Sequence, residues 1–139
     1  ASEQADEALE VVGLQAHAGR TASSLPILQR KLLMLASAIA SRPALLLLDE
    51  PVGGLNAKEI EQCAAVFRRL RDFHGMTIIL IEHVMSFMTA LADRVMILHH
   101  GRKLYEGSAA GLADDEEVVE VYLGVSGTSD IKAAMAGAG

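Results

Sequence analysis

Apolar positions fall at helical spacing in the first fourteen residues, where Ala5, Ala8, Leu9 and Val12 share one face and Gly13 stands at a helix stop. Residues 2–14 therefore predict a short amphipathic helix. After a loop around residues 19–24, Leu28, Leu32, Leu35 and Ile39 build a second, more apolar face over residues 28–40, which Arg42 and Pro43 break. The period then changes. Residues 44–48 are an unbroken aliphatic run ending in Asp49, Glu50 and Pro51, the pattern of a buried parallel strand with acids at its carboxyl end. A Gly53-Gly54 turn leads to a helix over residues 57–73, with Ile60, Ala64, Phe67 and Leu70 on its apolar face and Gly75 closing it. Residues 76–81 repeat the strand pattern, and Glu82, His83 and a short helix ending near Ala92 follow. Strand, helix, strand in this order implies a right-handed crossover in a parallel sheet. Residues 94–99 and 103–106 flank His100, Gly101 and Arg102 and read as a hairpin at that sheet's edge. Two short acidic helices are expected over residues 109–114 and 115–123, and the Gly-, Ala- and Ser-rich tail from Gly124 is expected to fray.

Composition turns this α/β pattern into a folded domain. With 51% hydrophobic and 22% charged residues among 139, and a mean hydropathy of +0.30, the chain is too apolar for a disordered segment. No apolar run reaches the roughly 18 residues of a membrane helix, and the amino-terminal residues lack a signal-peptide pattern. Twelve basic against eighteen acidic residues, a formal charge of -6 and no Lys/Arg stripe argue against nucleic-acid binding. The single cysteine, Cys63, excludes an internal disulfide and a cysteine-only zinc site, which points to a reducing, cytoplasmic compartment.

Chemistry concentrates after the first strand. LLLLDEP, residues 45–51, sets two carboxylates where open α/β sheets place their ligand crevices. An Asp there can hold Mg²⁺ while the next acid orients or deprotonates a water attacking a terminal phosphate. The plainer reading is a solvated Asp-Glu pair opening a loop. His83, after the second strand, would lie beside Asp49 and Glu50 if the strands pair, able to meet a phosphate oxygen or the attacking water, or simply to cap the next helix. GGLN, residues 53–56, either presents backbone groups to another subunit or is only a turn. Other candidates are weaker. His99 and His100, adjacent in a strand, should point to opposite faces and share no metal. Cys63 reads as a packing residue, the Arg68, Arg69, Arg71 cluster as a solvated helix face, and Met76, Met85, Met88 and Met96 as core or subunit-contact residues.

LLLLDEP, GGLN, LIEH (residues 80–83) and LADRVMILHHGRKLYEG (residues 91–107), in this order, resemble the ATP-binding subunit of ABC transporters along nearly all of the chain to Gly124. The GGLN turn, IEHVM and VVEVYLG look most like the ATPases of branched-chain amino acid importers. The resemblance implies the distal half of a RecA-like P-loop NTPase core with part of the ABC helical subdomain. It also implies roles: Asp49 positions Mg²⁺, Glu50 polarises the attacking water, His83 contacts the γ-phosphate of ATP, and Gly54, Leu55 and Asn56 communicate across a nucleotide-sandwiched dimer. Gln29 would belong to a loop acting in trans on the opposite subunit's nucleotide. A second ATP-binding subunit and transmembrane permease subunits are the implied partners, at the cytoplasmic face of the inner membrane.

Two departures qualify the resemblance. No G-x-x-x-x-G-K-[ST] phosphate loop occurs, and no Gly is followed by Lys, so the cradle for the β and γ phosphates is missing from these 139 residues. The chain resembles the second half of such a subunit, and alone is not expected to bind ATP tightly or hydrolyse it; exposed sheet should instead favour self-association. LPILQ, residues 25–29, stands where the family carries LSGGQ, and only Leu25 and Gln29 match. Pro26 has neither hydroxyl nor N–H, and Ile27 and Leu28 restrict backbone approach. The expected organisation is a helical-subdomain part over residues 1–42, a core half over 43–108 and terminal helices with a tail over 109–139. The rival from another class is a non-catalytic half-ATPase that serves as an interaction module.

Overall fold

The computed structural model describes residues 3–123, which form two compact units divided between Glu82 and His83. The first unit runs α1 (Glu3–Val11), α2 (Ile27–Ile39), β1 (Leu45–Asp49), α3 (Ala57–His74) and β2 (Thr77–Ile81). Gly13, at φ 74, closes α1: Leu14 N donates to Leu9 O at 2.8 Å and Gly13 N to Glu10 O at 3.0 Å, the paired bonds of a Schellman closure. Leu14 is thereby buried beside Ala8 and Val12. α2 begins at Ile27 with Pro26 as its N-cap, a residue that offers no capping side chain, and buries Leu28, Leu32, Leu35, Ala36 and Ile39. α3 is fixed at both ends, by an Asn56–Glu59 capping box and by Gly75 at φ 59, and buries Cys63, Ala64, Val66, Phe67 and Leu70.

β1 and β2 pair in parallel, from Leu45 opposite Thr77 to Asp49 opposite Ile81, as the strand, helix, strand pattern predicts. Their burial differs from expectation. Leu46 is buried, but Leu45, Leu47, Ile79 and Ile81 are 46%, 67%, 54% and 63% exposed. A continuous aliphatic run suits a strand covered on both faces. Here one face is covered and the other, carrying those four side chains, is bare.

The second unit contains α4 (Met85–Leu91), β3 (Val95–His99), β4 (Arg102–Gly107), a 3-10 turn over Ala109–Asp114, α5 (Glu116–Val118) and a π-turn over Val119–Leu123. Val95, Ile97, Ala109, Leu112 and Val118 form its core, with Met85, Met88, Ala92, Leu104 and Tyr105 packed around it. The anticipated pair of helices is thus irregular, held by Ser108 Oγ accepting from Gly111 N and Asp115 Oδ1 accepting from Val118 N. The hairpin is antiparallel, with a bulge between Ile97 and Leu98. It does not extend the parallel pair: among the described residues β1 bonds only β2, and β3 bonds only β4, giving two separate two-stranded sheets. His100 is a second correction. β3 stops at His99, and His100 (φ 46) with Gly101 (φ 73) makes the turn, so the two imidazoles meet edge to face at 4.2 Å instead of pointing to opposite faces. The expectation for the tail from Gly124 lies outside the described residues.

Candidate functional site

The carboxyl end of β1 brings the acids to the surface. Asp49 and Glu50 are both exposed, beside the carboxyl end of β2, and Glu50 N donates to Ile81 O at 2.8 Å. The chain then reverses. Glu50 takes φ 45, a left-handed conformation that costs a non-glycine residue about 1–2 kcal/mol. Gly53 N donates to Glu50 O at 3.2 Å and Leu55 N to Val52 O at 3.1 Å, so residues 50–55 form two overlapping turns. Contacts from other elements hold them. Lys31 Nζ, on α2, donates to Glu50 O at 3.5 Å. Val52 buries its side chain, and its N–H donates to Glu82 Oε1 at 3.1 Å.

GGLN is built into the same turn. Gly54 has φ 79, and a Cβ there would lie 3.3 Å from Ile27 Cδ1, so the LPILQ and GGLN segments meet within one chain. Leu55 is half-buried. Asn56 acts locally, as the cap of α3, where Oδ1 accepts from Glu59 N at 3.0 Å and Glu59 Oε2 accepts from Asn56 N at 2.9 Å. In LPILQ, Leu25 and Leu28 are buried and Gln29 is half-buried, its Oε1 enclosed without a hydrogen-bond partner. Asp49, Glu50, Gly54, Leu55 and Asn56 are therefore gathered at one end of β1, with Ile27 and Lys31 of α2 against the turn. His83 is exposed and opens the second unit.

Two residues escaped the sequence reading. Lys31 has a helical position as its only signal. Glu82 had a better one, an acid ending the second aliphatic run just as Asp49 ends the first. Both also lie near Cys63. Burial pushes the Cys63 thiol up to about 11, against the pull of Lys31 and with a further push from Glu82. So protonated a thiol packs and does not attack.

Among the described residues no group of three or more His, Cys, Asp and Glu is placed to hold a metal ion. The donor set fits Mg²⁺ as a partial site: Mg²⁺ commonly takes one or two carboxylates and completes its octahedron with water and substrate phosphates. Asp49 can be one such carboxylate.

No family model matches the chain. It is 36% identical over 124 residues to the high-affinity branched-chain amino acid transport ATP-binding protein BraF of Pseudomonas aeruginosa, covering 89% of this chain and 49% of BraF. Over 116 residues it is 36% identical to the high-affinity branched-chain amino acid transport ATP-binding protein LivG of Escherichia coli, with 84% and 46% covered. The homologues of this segment are ABC transporter ATP-binding proteins. The chain spans about half the length of the curated relatives it matches. An ATP-binding cassette of an ABC transporter in its ADP conformation superposes with a TM-score of 0.79 at 26% identity, covering 88% of this chain and 49% of that one. cbiO1 from Clostridium perfringens, part of the cbiONQ transporter complex, gives 0.77 at 24%, covering 85% and 47%, and so speaks to fold alone. The α/β architecture is accordingly part of a RecA-like P-loop ATPase core. No helix among the described residues is long and apolar enough to cross a membrane.

Proposed function

We propose that this segment supplies the metal-positioning and water-polarising part of the nucleotide site of an ABC importer ATP-binding subunit that moves branched-chain amino acids. One observation carries the reading: Asp49 and Glu50 stand exposed at the carboxyl end of a parallel strand pair, on a turn braced from β2 and α2. The names of BraF and LivG support the transported class. Asp49 would help to hold Mg²⁺, Glu50 would polarise the attacking water, and His83 would meet the γ-phosphate. Gly54, Leu55 and Asn56 face a second ATP-binding subunit, and Gln29 acts from the first turn of α2 on that subunit's nucleotide. Residues 1–42 serve the helical subdomain and 43–108 the ATPase core, while permease subunits anchor the assembly at the cytoplasmic face of the membrane. A polypeptide joining this segment to a phosphate loop tests the reading. There Glu50→Gln removes the carboxylate but keeps its size, and turnover is expected to fall at least about 100-fold with nucleotide binding retained. Near-normal hydrolysis would remove Glu50 from that role.

The bare face of β1 and β2 favours a second reading, an interaction module without catalysis. Calorimetry on the 139-residue chain bears on both. Absence of micromolar Mg-ATP binding agrees with a site lacking its phosphate cradle, and tight binding dependent on Asp49 overturns that half-site assignment.

A further inference from the structure

We infer that Glu82 is a positioning residue for the Glu50 turn, acting through the backbone N–H of Val52. The inference rests on the function proposed above. Three facts meet at this contact. The Glu82 carboxylate accepts from Val52 N at 3.1 Å, joining the end of β2 to a turn thirty residues earlier. Val52 is a buried residue, 1% exposed, so its N–H needs an acceptor that stays in place. Glu50, two residues before it, has φ 45, a backbone state that persists only where its surroundings over-determine it. Glu50 N is already tied to Ile81 O. The Glu82 carboxylate thus clamps the far side of the same turn, and the turn is held by Ile81 of β2 and by Glu82 just beyond it. Glu82 touches no reacting atom in this scheme. It fixes where the Glu50 carboxylate can be, and a displacement of about 1 Å in a positioned catalytic group can cost on the order of 100-fold in rate.

Kinetics and amide exchange test this together. Glu82→Met matches the side chain in length and lacks the acceptor, while Glu82→Gln keeps an acceptor oxygen. In an ATPase-competent polypeptide carrying this segment, Glu82→Met is expected to lower kcat about 10- to 100-fold with KM for ATP nearly unchanged. Glu82→Gln should recover most of that loss, and Glu82→Met should add nothing in a Glu50→Gln background. Equal losses in the Met and Gln variants, an effect confined to KM, or losses that multiply with Glu50→Gln would overturn the inference. If the unmodified polypeptide shows no ATPase activity sensitive to Glu50, the functional proposal fails instead, and exchange in the 139-residue chain still decides on Glu82. There the Val52 amide should exchange at least about tenfold faster in Glu82→Met than in Glu82→Gln, with the interior amides of α3 unchanged. Equal Val52 exchange in the two variants sinks the clamp.

Discussion

Arg69 Nη1 donates to the carbonyl oxygen of Val11 at 3.0 Å, spanning 58 residues to bind α3 to the last turn of α1. Arg69 is itself exposed, so the Arg68, Arg69, Arg71 face meets solvent while one member reaches back to α1. Arg68 pairs with Glu61 at 2.6 Å and Arg71 with its neighbour Asp72 at 2.7 Å, both near the surface. Arg69 satisfies a carbonyl that the end of α1 leaves without a helical partner. Arg69→Ala should lower stability by about 0.5–1.5 kcal/mol, whereas Arg68→Ala should fall within about 0.5 kcal/mol of the parent. Urea midpoints of the two variants separate these outcomes, and equal midpoints would deny Arg69 its special place.

Cys63 gives the first unit an alkaline weakness. The thiol is raised to about 11 in the folded chain from an ordinary value of 9.0. Between those values the unfolded chain gives up its proton while the folded one keeps it, so the unfolded state binds fewer protons and stability falls as pH rises. The full contribution is present below pH 9, and the decline should approach about 1.4 kcal/mol per pH unit inside the window. Cys63→Ser should flatten this part of the curve. An identical alkaline slope in both proteins would place its origin elsewhere.

Leu47 and Ile79 are register partners, and both are exposed on the bare sheet face. The chain is expected to self-associate at high concentration through this face and the strand edges left unpaired among the described residues. Leu47→Lys with Ile79→Glu should shift sedimentation towards monomer. A parent that stays monomeric at high concentration contradicts the expectation.

Within LPILQ the side chains have divided roles. Leu28 is buried in the α2 core, whereas Ile27 is exposed and touches the Gly54 turn. Leu28→Ala should cost about 2–4 kcal/mol, and Ile27→Ala less than about 1 kcal/mol. Comparable losses on thermal melting would mean that the whole segment has become core.

Most elements are legible because local chemistry fixes them. Gly13 and Gly75 end helices by adopting positive φ, and Asn56 starts one by capping it. Aliphatic runs ending in Asp49 and Ile81 mark strands that do pair in parallel. Burial is less legible, since a run such as Leu45–Leu48 reports what a strand is suited to pack against and not what is there. His100 escapes for another reason. Adjacency to His99 suggests strand alternation, but His100 belongs to the hairpin turn, and with its positive φ the two rings lie edge to face. At the site, Asp49 and Glu50 are visible from the motif and Glu82 as an acid ending the second aliphatic run, while the contacts of Glu82 and Lys31 to backbone atoms of the turn become visible only when β2 and α2 are in place.

The backbone at Glu50 sets heat resistance against chemistry. A Gly or Asn occupies φ 45 at less cost than Glu. A library randomised at position 50 and sorted only for survival at high temperature should therefore drift towards Gly or Asn, shedding the carboxylate as it hardens. Retaining Glu there requires selection for activity, and a heat-sorted pool that still favours Glu would show that the turn bears no such strain.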